Sequence, residues 1–173
     1  MDVELAKIVE GIEFQSDESQ AFLNLSTGEV IIYTDEEIEA AENDEDLSGH
    51  AEWYREAVAQ AKEYIENEDN YLPIPDKFDF NEYRVMEKFI GRVPIEEQRE
   101  ELFNSIKGKG AFSRFRKELE RFMLVDQWHK YKDEALLDFA KWWCEDNNIN
   151  YKKLNITSDC GVNPHQKKIN KPI

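Results

Sequence analysis

The sequence is short of cysteine, histidine and positive charge, and it has no long apolar run. Cys144 and Cys160 are the only cysteines in 173 residues. Two thiols so spaced build no disulfide framework, and their chemistry reads as reduced and cytosolic. The histidines His50, His129 and His165 share no motif. Cys160 and His165 are near neighbours, but two ligands fall short of the four that a closed zinc site needs, so no metal and no other cofactor is expected. No stretch approaches the run of about 18 apolar residues that marks a membrane span. The opening run MDVELAKIVEGIEF also lacks a basic lead and a long apolar centre. A cytoplasmic chain is expected, with no signal peptide and no membrane partner. The patterns GxSxG, HExxH and GxxxxGK[ST] do not occur, which removes three common signatures of catalysis.

What is plentiful is acid and aromatic mass. Asp and Glu number 38 against 22 Lys and Arg, for a net charge of −16. Hydrophobic residues make up 40% and aromatic residues 12%, too apolar for a disordered chain. Four Trp, seven Tyr and ten Phe can fill a substantial core at this length. One globular domain is expected over 1–150, with a loosely held tail over 151–173, where Asn, Lys and Pro replace any period. The charge is divided along the chain. Residues 1–101 hold 29 acids and 8 cations, and residues 102–173 hold 9 and 14. Such a split fits an acidic half that faces a partner and a half that tolerates anions, or simply acidic helix faces kept in water.

Periodicity predicts a mostly helical α+β fold, with several packed helices and a small antiparallel hairpin or sheet near the N-terminus. Leu5, Ile8, Val9 and Ile12 mark one face of a helix over Val3–Glu13. AFLNL and EVIIY, joined at Ser26-Thr27-Gly28, predict the hairpin. Thr34 and Glu37 form a capping box for a short acidic helix. Trp53, Ala57, Ala61, Tyr64 and Ile65 are the expected inner face of a helix over His50–Asn67, capped by Ser48. Pro73 and Pro75 hold Tyr71–Pro75 extended, as an edge strand. Asp79 and Glu82 are the expected cap of a helix striped by Phe80, Tyr83, Met86, Phe89 and Ile90. Pro94 opens the next helix, lined by Leu102, Phe103 and Ile106 and stopped at Gly108. After the GKG turn, Phe112, Phe115, Leu119 and Phe122 share one face. Asp126 is expected to cap a long last helix whose wide stripe includes Trp128, Tyr131, Phe139, Trp142 and Trp143.

Several of these runs occur together in one group. YLPIP, MEKFI, GKGAFSRFRKEL, WHKYKDEAL and AKWW, in this order over about residues 70–150, resemble the bacterial uncharacterised protein family numbered 0158. The hairpin AFLNLSTGEVIIY is similar to its N-terminal part. The resemblance implies a bacterial cytosolic protein. It carries over no activity and no site residue, and residues from Tyr151 onward fall outside it.

Two constellations remain as candidate sites. Between Ser105 and Arg121 lie six cations and two acids. Lys107, Lys109, Gly110, Arg114, Lys117 and Arg121 make a candidate anion site, because glycine amides before a helix start can point at a phosphate. The same pair of helices about a glycine turn is compatible with a helix-turn-helix, although a net charge of −16 opposes nucleic acid. Pairing of these cations with the acidic half is the alternative. Trp128, Tyr131, Trp142 and Trp143 exceed what one helix face usually buries; core is the first reading, and a protein-binding groove or dimer contact is the sharper one that makes them a candidate interface. Cys144 reads as a core thiol and His129 as a packed or half-exposed histidine rather than a catalytic one. The expected function is a non-enzymatic protein-interaction or regulatory module with an acidic helical surface, its partner another protein or a second copy. A phosphate-ligand or nucleic-acid-binding protein using the basic helix is the alternative.

Overall fold

The computed structural model describes residues 2–152. The elements in chain order are β1 (Val3–Glu4), α1 (Leu5–Phe14), β2 (Ser19–Asn24), β3 (Val30–Thr34), α2 (Asp35–Glu42) and α3 (Glu52–Glu66). A 3-10 turn (Glu68–Asn70) then leads into β4 (Tyr71–Pro73), α4 (Lys77–Phe80), α5 (Glu82–Ile90) and α6 (Glu96–Ser105). The chain continues with α7 (Ala111–Arg121), α8 (Val125–Asp146) and β5 (Tyr151–Lys152). The expected α+β fold, mostly helical with a small antiparallel sheet near the N-terminus, is what forms.

The sheet has the order β3-β2-β4, antiparallel throughout, with Phe22 opposite Ile31 and Leu23 opposite Leu72. Side chains alternate along a strand. Ala21 and Leu23 therefore face α1 and α8, while Phe22 and Tyr33 face α2 and α3. Ala21 to Asn24 are all buried, as a strand covered on both faces requires. Buried Asn24 is satisfied locally: its Oδ1 accepts from the amides of Ser26 and Thr27 and from the Asn70 side chain. This bonding widens the hairpin connection to Leu25–Glu29, longer than the three-residue turn expected. Extended Tyr71–Pro73 is the predicted edge strand, and Pro73 sits at its end, where a missing donor is tolerated.

Three clusters of buried side chains follow. One joins α1, the sheet and the C-terminal half of α8; one joins the sheet to α2 and α3; the third joins α5, α6, α7 and the N-terminal half of α8. Helix α8, 22 residues long, enters two of them. Trp128 belongs to the third cluster, and Leu136, Ala140 and Trp143 belong to the first.

Local differences from expectation have local causes. The Thr34–Glu37 capping box forms as predicted. The second box is Asp76–Asp79, three residues early, because the short α4 intervenes; Asn81, at φ 47°, then caps α5. Helix α3 buries Tyr54, Val58 and Ala61, while Trp53 is 68% exposed. One residue is a rotation of about 100° on a helix, and Tyr54 and Val58 are the pair that reaches the Phe22–Tyr33 layer. Ser48 and Asp126 make no cap. Val3–Glu4 is a strand rather than the first turn of α1. It pairs in parallel with Tyr151–Lys152, the first two residues of the expected tail. The rest of that tail lies outside the described residues.

Candidate functional site

The six-cation run is built around one turn. Helix α6 ends at Ser105, and Gly108 (φ 73°) and Gly110 (φ 83°) take the left-handed backbone that reverses the chain into α7. The last carbonyls of a helix have no partner within it. Arg114 supplies one. Its Nε donates to Ser105 O at 2.9 Å, Nη1 to Lys109 O at 2.7 Å and Nη2 to Lys107 O at 2.5 Å. A Cβ on Gly110 would lie 3.2 Å from Nη1, so the glycine also makes room for the guanidinium. The turn thus aims carbonyls at a resident cation, where the sequence reading aimed amides at an anion. Arg121 pairs with Glu101 and Glu118, and these carboxylates hold its guanidinium above its ordinary range. Lys107 donates to Asn104. Among the described residues, Lys109, Arg116 and Lys117 make no ion pair and are exposed. The turn gathers Lys107, Lys109, Gly110 and Arg114, while Lys117 and Arg121 lie further along α7, and Arg114 and Arg121 hold α6 to α7.

The aromatic candidates separate. Trp128 and Trp143 are buried, each at a different part of α8, and act as core. The core reading therefore holds for these two and they leave the candidate interface: the stripe is wide because α8 enters two clusters. Tyr131 is half-buried, with the Arg92 guanidinium 4.7 Å over its ring. Trp142 alone of the four is exposed, stacked on Phe139 at 5.7 Å.

A surface that the sequence reading missed lies on the opposite side of the sheet order. Strand β4 takes one side of β2, so β3 is an edge. The amide of Asn24 donates to Glu29 O at 2.9 Å, and that of Asp35 to Glu18 O at 3.0 Å. Antiparallel bonding alternates. Residues 29, 31, 33 and 35 therefore turn their main chain to β2, and residues 30, 32 and 34 turn theirs outward. The Thr34 amide is taken by Glu37, which leaves the Val30 and Ile32 amides and carbonyls on the open edge. This edge opens into a groove of about 780 Å³, walled by Lys7, Glu10 and Phe14 of α1 and by Gln60 and Glu63 of α3. Asp2, Glu4 and Glu29 add carboxylates to its lining and Lys152 adds a cation. Lys7 is tied to Glu10 at 2.7 Å. Asp2, Glu4, Glu29 and Glu63 have no ion-pair partner among the described residues. The signal that could have found this groove is the apolar run VIIY, with neither proline nor lysine to guard an edge. The strand order needed to read it is not local to the hairpin.

A family model matches residues 1–159. The chain belongs to the uncharacterised protein family UPF0158. The match takes in the whole sheet and all the helices described, a longer span than the motifs over 70–150. Comparison with curated proteins and comparison with solved structures each return no match.

The reactive side chains of this UPF0158 chain do not converge. Cys144 is buried beneath α1, and burial pushes its thiol up to about 11, so it is protonated at neutral pH. His50 stacks on Tyr54 at 5.0 Å, and His129 is exposed on α8. No group of three or more His, Cys, Asp or Glu suited to a metal occurs among the described residues. Cys160 and His165 lie outside them. No described helix is long and apolar enough to cross a membrane.

Proposed function

We propose that this chain is a non-enzymatic protein-interaction module of the bacterial cytosol that offers an acidic surface to a partner protein. One observation carries the reading: Arg114 and Arg121 of the basic run are bonded within the fold, while Asp2, Glu4, Glu29 and Glu63 around the β3 groove have no ion-pair partner among the described residues. A charged surface that makes no internal pairs is free to steer a partner of opposite sign. The alternative, a phosphate or nucleic-acid site on α7, would rest on Lys109, Arg116 and Lys117 alone, against a net charge of −16.

The reading is tested with the immobilised full chain and a Glu29→Gln/Glu63→Gln variant, each exposed to bacterial lysate. The expected result is a protein retained at low salt, released as salt is raised and lost by the variant. Retention of nothing above the control, or turnover of a substrate dependent on these carboxylates, would overturn it. Low-salt titration with oligonucleotides is expected to give no binding; binding that Arg116→Ala/Lys117→Ala removes would put the alternative in its place.

A further inference from the structure

We infer that the free edge of β3 receives an extended, lysine-bearing segment of the partner as an added strand. The inference rests on the protein-interaction reading and names its binding mode.

Three observations converge on one strip of backbone. First, the register leaves the amides and carbonyls of Val30 and Ile32 directed away from β2, and these are the groups a new strand bonds. Second, the edge is unguarded. Natural sheets blunt an edge with proline, lysine, a bulge or a covering element, because a bare edge pairs with any strand that reaches it. β3 has neither proline nor charge, and Ile32 is 37% exposed. Helices α1 and α3 stand beside it as walls and leave the groove between them open. A strand added there lies about 4.8 Å beyond β3, with side chains directed alternately to the two walls. Third, the lining is acidic in balance: Glu10 of α1 is tied to Lys7, but Asp2 and Glu4 before α1, Glu29 beside β3 and Glu63 of α3 have no ion-pair partner among the described residues, against Lys152 as the one other cation of the lining. Main-chain bonds in this mode give affinity, and the walls select side chains. Carboxylates on both sides select lysine or arginine on both faces of the incoming strand.

Charge also decides against a second copy. Two chains pairing edge to edge would bring Glu29 and the acidic start of α2 (Asp35, Glu36, Glu37) into opposition. Like charges set opposite each other across strands destabilise the pairing.

The test uses the full chain and two short capped peptides of alternating valine and threonine, one bearing lysines and one bearing glutamates. Amide hydrogen exchange is read residue by residue. With the lysine peptide, exchange at Val30 and Ile32 should slow by about tenfold or more, the mark of newly bonded amides; the glutamate peptide should change nothing. Ile32→Pro removes an outward donor and no bond to β2, so it should abolish peptide binding with an unchanged circular-dichroism spectrum. Glu10→Lys/Glu63→Lys should reverse the preference between the peptides, which keeps the test open if Ile32→Pro fails to fold. Equal response to both peptides, or slowing elsewhere than β3, overturns the inference. So does protection of Val30 and Ile32 before any peptide is added: protection that grows with protein concentration identifies a second copy, and protection that does not identifies the chain's own residues beyond Lys152. A lysate partner held equally by wild type and Ile32→Pro would overturn the added strand and leave the interaction reading standing. No partner held by either would remove that reading itself.

Discussion

The turn between α6 and α7 and the groove beside β3 are two charged surfaces of this chain whose charges are used differently. At the turn, Arg114 and Arg121 are bonded within the fold. In the groove, most carboxylates bond to nothing among the described residues. The difference lies in the backbone beside each cluster. A helix end exposes carbonyls that lack partners, and a nearby guanidinium with five donors satisfies them. Beside the strand edge, Glu37 takes the Thr34 amide and Glu10 takes Lys7, and the other carboxylates of the groove find no cation among the described residues. Charge density in the sequence marks both places alike. The backbone next to the charge determines whether it is spent on stability or left for a partner.

The most severe way to break this contrast is Arg114→Met, which keeps the aliphatic stem and removes all three bonds to carbonyls. Water can reach part of the turn, so the loss is less than three full charge-assisted bonds; about 2–3 kcal/mol is expected, read by urea unfolding. Arg114→Lys should not restore it, because one ammonium cannot span Ser105, Lys107 and Lys109 as the fork does. Full stability in Arg114→Met would return the turn to the candidate anion sites.

On the groove side, Gly11 sets how closely α1 approaches β3. A Cβ there would lie 3.0 Å from Ile74 Cδ1 and 3.1 Å from Val30 Cγ1. Gly11→Leu should overpack the layer, at about 1–3 kcal/mol, with a matching fall in Tm. Gly11→Ala should be near neutral. The two neighbours are ends of flexible side chains that can yield, and alanine gains roughly 1 kcal/mol over glycine in a helix. An Ala variant as unstable as the Leu variant would show that α1 cannot move.

These two sites also show what the sequence made legible. Leu5, Ile8 and Ile12 and the capping box at Thr34 are each set by neighbours within two turns of helix and form as read; the stripe of α7 forms through Phe115 and Leu119, but Phe112 at its head is 54% exposed and Ala111 is buried in its place. Trp53 was misplaced because a face assigned from large side chains ignores a 100° rotation that only the Phe22–Tyr33 layer decides. Trp128 and Trp143 were over-read for a related reason: one helix serving two cores looks like one helix with excess aromatic surface. The basic run was visible, and its use was not, because the bonds from Arg114 depend on which way the Ser105–Lys109 carbonyls turn. The groove was the hardest to see. It exists because β4, some forty residues beyond β3, chose the other side of β2.

A milder test changes pH. Burial raises the Cys144 thiol from its ordinary 9.0 to about 11 and raises the Tyr33 hydroxyl, which donates to Gln60 O at 3.2 Å. For a group whose folded value is raised, the contribution to stability is whole below the unfolded value and is lost as pH passes toward the folded one. Stability should therefore hold to about pH 9 and fall between pH 9 and 11. Cys144→Ala should flatten the first part of that fall. Native Cys144 should also resist alkylation at pH 7 and react after unfolding, as mapped by peptide mass. Fast native labelling at this position would mean that α1 opens away from α8.

The smallest effects separate the two surfaces most sharply. Arg121 is an exposed residue in an ion pair with Glu101, and solvent screens such pairs, so Arg121→Ala should lower stability only slightly, read by urea unfolding. Glu29→Gln and Glu63→Gln should not destabilise at all. Neither carboxylate has an ion-pair partner among the described residues, and each adds to the self-repulsion of a chain at −16. Removing either should leave stability unchanged or raise it by a few tenths of a kcal/mol. The gain should shrink as salt is added, because screening over about 8 Å at physiological ionic strength already quiets the repulsion. The signs are the test: a cation taken from α7 lowers stability, and a carboxylate taken from the groove does not. Residues kept at a net cost to the fold need a use outside it, so a clear loss on Glu63→Gln would tie that carboxylate to the structure and weaken the case that it waits for a partner.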